Sequence, residues 1–218
     1  MTGLVVAMDG PSGSGKSSAS RGVARALGLR YLDTGAQYRA ITWWMLRKGV
    51  DLSDPAAIAA RCGEAEIVSG TDPEAPSIQV DGTDVGEPIR RDEVTSAVSV
   101  VAAVPAVRAR LVALQRELIG AGDIVVEGRD IGTVVAPDAA VKIYLTASPE
   151  ARAARRSAEL AGTTALAQQA AMARRDALDS TRKTDPLSMA AGAIELDTTA
   201  FNLEEVIAEV LRLVKERT

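Results

Sequence analysis

Apolar and polar positions follow two rhythms along the chain. Short apolar runs at residues 4–8, 30–32, 124–127, 140–145 and 193–196 read as buried strands. Between them, residues 17–27, 37–48, 104–119, 149–160, 164–178 and 203–216 carry apolar side chains at helical spacing. Nearly continuous apolar strands alternating with helices predict an α/β fold, a parallel sheet with helices on both faces. One stretch breaks the rhythm. Glu66-Ile67-Val68, Ser77-Ile78-Gln79-Val80 and Asp84-Val85 alternate with period two, and Asp81-Gly82 is a hairpin signal. An antiparallel element is therefore expected as an insertion at residues 62–91. A long surface loop is the plainer alternative, but the β-branched content argues against it.

The first strand runs into Gly10, Pro11, Ser12, Gly13, Ser14, Gly15, Lys16 and Ser17, which fits G-x-x-x-x-G-K-[ST] in full. Glycines there let backbone N–H groups approach an anion, and the helix behind adds its dipole. Lys16 is placed to reach the β- and γ-phosphates of a nucleotide, and the Ser17 hydroxyl to join a Mg²⁺ shell. A flexible glycine turn is the plain alternative. At ordinary glycine usage, though, such a match arises by chance in under about one chain in a hundred of this length.

Charge sharpens the picture. The chain of 218 residues has a net charge of −4, which argues against a nucleic-acid polymer as partner. Residues 151–184, however, hold seven Lys or Arg against three acids. This segment is +4 in a chain otherwise at −8, and such a patch suits a small polyanion. Arg152, Arg155 and Arg156 share or adjoin one helix face. A solvated charged face is the usual reading of such a run, but the phosphate loop elsewhere favours phosphate contact. With no histidine and a single cysteine, Cys62, catalytic triads, histidine or cysteine zinc sites and intrachain disulfides are excluded. No apolar run reaches the roughly 18 residues of a membrane span, and no signal-peptide pattern opens the chain, so a cytoplasmic protein without membrane partners is expected. Trp43 and Trp44, adjacent on a helix, point about 100° apart and read as core residues.

A phosphate loop does not by itself define the chemistry. A switch-type GTPase reads guanine with Asn-Lys-x-Asp, and the only asparagine is Asn202. ATP-driven motors need a larger chain and an acidic pair at a strand end, where Glu127 stands alone. A small-molecule kinase remains. Asp33-Thr34-Gly35-Ala36-Gln37-Tyr38-Arg39, Glu127-Gly128-Arg129-Asp130-Ile131-Gly132-Thr133-Val134-Val135, and Arg175-Asp176 with Asp179 and Arg182 resemble the bacterial cytidylate kinases over essentially the whole chain. Many members have Asp-Gly-Arg-Asp where this chain has Glu127, a change between carboxylates. Shikimate kinase, the nearest alternative, requires Asp-x-Asp after the second strand and a triple glycine, both missing here.

The resemblance implies a P-loop nucleoside monophosphate kinase with a five-stranded parallel sheet. Its core would be residues 1–61, 92–148 and 185–218. Residues 62–91 would form the inserted monophosphate-binding subdomain, with a 92–103 helix as candidate extension, and residues 149–184 an arginine-rich lid hinging near Ala161-Gly162-Thr163. It implies γ-phosphoryl transfer from MgATP to CMP or dCMP by a monomer, with Lys16, Arg129 and Arg182 as catalytic charges. Gly10 through Ser18 and the lid residues Arg152 and Arg156 would hold ATP, with Ser17 on the metal. Arg39, Arg129 and Arg182 would hold the acceptor phosphate; Thr34, Arg175 and Asp179 would lie near its sugar and phosphate. Ser99, Arg108 and Asp130 would read the base. By spacing alone Asp179 reads equally as a surface partner of Arg175, and Ser99 as a packing serine.

Overall fold

The computed structural model describes residues 3–159 and 165–218. Strands Val5–Asp9 (β1), Arg30–Asp33 (β2), Ile124–Glu127 (β6), Val141–Thr146 (β7) and Ile194–Asp197 (β8) form one sheet in the order β2-β6-β1-β7-β8. Every pairing in it is parallel. Each of these strands lies within one residue of its expected bounds, because both sheet faces are covered. Val6 and Met8 pack with Lys16–Leu27 (α1) and Leu203–Arg217 (α8), whereas Ala7 faces Pro105–Ile119 (α5) with Val126 and Ile131. Burying each such aliphatic side chain contributes roughly 1.5–3 kcal/mol.

Local chemistry sets the element ends. Asp33 accepts from the Ala36 N–H at 3.0 Å and so caps Thr34–Arg47 (α2), which starts three residues before the expected 37. Asn202 and Glu205 form a capping box at α8. Gly28 closes α1 with φ +64°.

The expected hairpin is present as Ile67–Ser69 (β3), Ile78–Val80 (β4) and Thr83–Asp84 (β5), an antiparallel three-stranded sheet. Asp81 and Gly82, at φ +50° and +74°, make its turn. Its apolar face shares a cluster with α2, Pro55–Arg61 (α3), Asp92–Ala102 (α4) and α5, so the insertion has no separate core. Trp44 is buried there and donates to Asp81 at 2.8 Å, while Trp43 packs on the rim. Cys62 is buried and donates to the Ala59 carbonyl. The loop after β3 reaches the core: Thr71 accepts from the Tyr31 N–H at 2.8 Å, and Pro73 accepts from Arg21 and Arg25. Helix α3 and a single π-helical turn at Ile131–Val135 had no clear sequence signal.

The basic segment forms Pro149–Glu159 (α6) and Ala165–Thr181 (α7), packed together. The hinge expected at Ala161, Gly162 and Thr163 lies outside the described residues. Among the described residues, no single helix is long and apolar enough to cross a membrane.

Candidate active site

Parallel α/β sheets bind ligands at the carboxyl ends of their strands. Here that edge carries Asp9, Asp33 and Glu127. The loop from Gly10 to Gly15 joins β1 to α1, with Gly10, Gly13 and Gly15 at φ +144°, +75° and +86°. A Cβ on Gly10 would lie 2.1 Å from the Leu145 carbonyl oxygen, so only glycine fits. The first turn of α1 has no side-chain cap and no acidic residue, which leaves its N–H groups for an anion.

A cavity of about 210 Å³ lies over this loop. Ser12, Gly13, Gly15, Lys16, Ser17 and Ser18 form one wall. Thr34, Arg39, Ser99, Glu127, Arg129, Asp130, Arg156, Arg175, Asp179 and Arg182 are among the residues that line the remainder. Residues more than a hundred positions apart in the chain, expected to act together, therefore share one space. Gly10, Pro11 and Ser14 belong to the loop but do not line the cavity. Arg152 and Arg108 also stand outside the cavity wall.

Carboxylates hold the cations in place. Lys16 donates to the Pro11 carbonyl at 3.0 Å; burial, then repulsion from Arg129, lowers its pKa to about 8. Glu127 is 3% exposed. It accepts from Ser17 Oγ at 3.0 Å and from the Tyr31 hydroxyl, and its backbone carbonyl accepts from Thr34 Oγ1 at 2.7 Å. Burial, and then Asp33, raise the Glu127 pKa to about 7. Arg129 donates to the Gly10 carbonyl at 2.6 Å and pairs with Asp179 at 3.1 Å. Asp179 also accepts from Ser99 at 3.1 Å, so it is a buried organiser of the site, paired with Arg129. Asp176 accepts from the Ser12 N–H at 3.0 Å and pairs with Arg152, which itself donates to the Ser12 carbonyl. The local sequence offered the α6 arginines few acids, yet α7 supplies one across the helix pair.

The arginines crowd one another. Arg39 donates to Thr95 and to the Ile89 carbonyl; burial, then Arg175 and Arg156, lower its pKa to about 9. Burial and Arg129 bring Arg175 down to about 10. Among the described residues, Arg175 Nε and Arg182 Nη2 are buried without a hydrogen bond. Buried guanidiniums with depressed pKa values favour an anion between them.

Of the three residues expected at the base, Ser99 and Asp130 line the cavity and Arg108 does not. Asp130 lines the cavity, but Arg108 is 1% exposed and sits behind it, paired with Asp130 and, at 2.7 Å, with Asp185. Burial raises the Asp130 pKa, while Arg108 and Arg182 oppose the rise. Arg108 therefore acts on Asp130. Arg155, expected with Arg152 and Arg156 at a phosphate, instead donates to the Ser14 carbonyl and to Thr198 at 3.3 and 2.9 Å. Sequence reasoning gave no role to Tyr31 or Asp176. Asp176 adjoins Arg175 in the same motif and so had a signal; Tyr31 had none that distinguishes it from a core residue.

Ser17, with Glu127 behind it, offers hard oxygen atoms that fit Mg²⁺. No group of three or more metal-ligating His, Cys, Asp or Glu side chains occurs among the described residues. A Mg²⁺ held mainly by water and substrate phosphates needs no such cage.

A parallel sheet with a lysine-bearing phosphate loop facing an arginine cluster is the build of the P-loop kinases. A gluconokinase from Sinorhizobium meliloti 1021 shares this fold at TM-score 0.50 and 16% identity, over 99% of this chain and 94% of that one. Sequence comparison goes further. A family model for cytidylate kinase matches residues 6–216. Cytidylate kinase of Streptomyces avermitilis is 61% identical over 98% of this chain and 94% of its own. That of Streptomyces coelicolor is 62% identical over the same shares. The chain belongs to the cytidylate kinase family, an enzyme of the nucleoside monophosphate kinase class.

Proposed function

We propose that the protein transfers the γ-phosphoryl group of ATP, with Mg²⁺, to CMP or dCMP, forming ADP and CDP or dCDP. The observation that carries this reading is the single cavity joining Lys16 and Ser17 to Arg39, Arg129, Arg175 and Arg182. It matches the needs of phosphoryl transfer, where positioning and charge stabilisation do most of the work. An acceptor phosphate oxygen is ionised near neutral pH, so a chain without histidine lacks nothing.

In this reading the loop N–H groups, Lys16 and Ser18 hold the donor phosphates, and Arg152 and Arg156 close over them. Arg39, Arg129 and Arg182 hold the acceptor phosphate, with Thr34, Arg175 and Asp179 beside its sugar and phosphate. Asp130, oriented by Arg108, accepts from the cytosine amino group, and Ser99 lies on the same side. Ser17 would hold Mg²⁺, which when bound neutralises charge on the donor phosphates. Residues 62–91 serve as the monophosphate-binding insertion and 149–184 as the lid. A cleft of about 600 Å³ between α1 and the hairpin gives the insertion room to close. A cytoplasmic monomer is the expected working form.

ADP release with ATP and a panel of CMP, dCMP, UMP, AMP and shikimate tests the assignment. CMP and dCMP should be the best acceptors by at least about tenfold, the scale set by pairing a polar edge. Preference for any other acceptor overturns the reading.

A further inference from the structure

Asp9 is the last residue of β1, in the middle of the sheet, and is 3% exposed. Its two carboxylate oxygens accept from the Ile131 and Gly132 N–H groups, each at 2.8 Å. Those donors open the π-helical turn, where first-turn N–H groups have no partner within the turn. Immediately before them stand Arg129 and Asp130, two walls of the cavity. Immediately after Asp9 stands Gly10, whose carbonyl accepts from Arg129 at 2.6 Å. Gly128 also donates its N–H to the Met8 carbonyl at 3.0 Å, so the end of β1 and the start of the phosphate loop hold the 128–132 segment through Met8, Asp9 and Gly10.

We propose that Asp9 is a positioning residue for phosphoryl transfer, fixing Arg129 and Asp130 against the phosphate loop through the Ile131 and Gly132 amides. The proposal rests on the kinase reading above. A buried carboxylate is a costly way to hold two amides for stability alone. Burial pushes the Asp9 pKa up to about 6 in spite of both bonds, with Asp130 adding to the rise and Lys16 opposing it. What the carboxylate gains is geometry. It ties a segment carrying charges for the acceptor to the strand that carries the donor loop, and small misplacements of such groups cost rate.

Asp9→Asn tests this, because the amide keeps one acceptor and turns its NH₂ toward the other N–H. The variant should fold and keep KM for ATP within about threefold. Its kcat should fall at least about tenfold. Combined with Arg129→Lys, the losses in kcat should be clearly smaller than the product of the single losses, as for residues acting as a unit. Exchange of the Ile131 and Gly132 amides should be slow in the wild type, and at least one of the two should become fast in the variant. A kcat within twofold of wild type, or losses that multiply independently, overturns the proposal. If the variant does not fold, wild-type exchange decides: protected amides uphold the link, and free-loop rates overturn it. Wild-type protein inactive on CMP would instead refute the kinase reading.

Discussion

Replacing Lys16 by methionine should make the free protein more stable and the enzyme nearly inactive. The ammonium is lodged in the cavity wall, and among the described residues the Pro11 carbonyl is its one hydrogen-bond acceptor. Its pKa falls from 10.5 to about 8 because burial strips its water and Arg129 repels it, more than Glu127, Asp176 and Asp9 restore. Two pKa units or somewhat more correspond to roughly 3 kcal/mol spent on holding the charge at neutral pH. Two effects offset part of the gain. The Pro11 carbonyl loses a donor, worth about 1 kcal/mol, and Glu127 loses a neighbouring cation and takes up a proton more readily. The free variant should therefore be about 1–2 kcal/mol more stable near pH 7, while kcat falls at least about 10²-fold. The sign with pH follows from linkage. Between about pH 8 and 10.5 the unfolded lysine binds more protons than the folded one, so wild-type stability gains from this group as pH rises. The variant lacks that gain. Urea unfolding of both proteins near pH 7 and pH 9.5 should show the gap narrowing at the higher pH. A variant less stable than wild type near pH 7, or a gap unmoved by pH, would refute the reasoning.

Three further outcomes are expected. Gly10→Ala should cost roughly 2–5 kcal/mol of stability, because its φ of +144° and the 2.1 Å approach to Leu145 exclude a Cβ; a loss below about 1 kcal/mol in urea would show that the loop can shift. Asp130→Asn should lower kcat/KM for CMP by about 10–100-fold and narrow the CMP-to-UMP ratio, since an amide can donate to the uracil oxygen. An unchanged ratio would remove Asp130 from base selection. Amide exchange across residues 149–159 and 165–184 should slow when an ATP analogue and CMP bind together, and unchanged exchange there would mean that no lid closes.

Much of this was legible in the sequence because it is written locally. The phosphate loop is eight consecutive residues, the hairpin is announced by Asp81-Gly82, and β6 falls on the expected 124–127. What escaped was set by contacts between distant residues. Asp9 reads as the polar end of an apolar strand until the fold brings it to Ile131, 122 positions away. Asp176 reads as one acid in a basic segment until it meets Ser12 and Arg152. Arg108 carries the charge expected of a base contact, but only packing shows that it reaches Asp130 from behind. Helix α3 is seven residues long, too short for a periodicity to declare itself.

The central claim is a transfer between two bound nucleotides, and the fate of the phosphoryl group tests it most directly. ATP labelled at the γ-phosphorus, incubated with the protein, Mg²⁺ and CMP, should place the label at the β-position of CDP, with ADP formed in equal amount. Label recovered only as inorganic phosphate, or no transfer to CMP at all, would contradict the account.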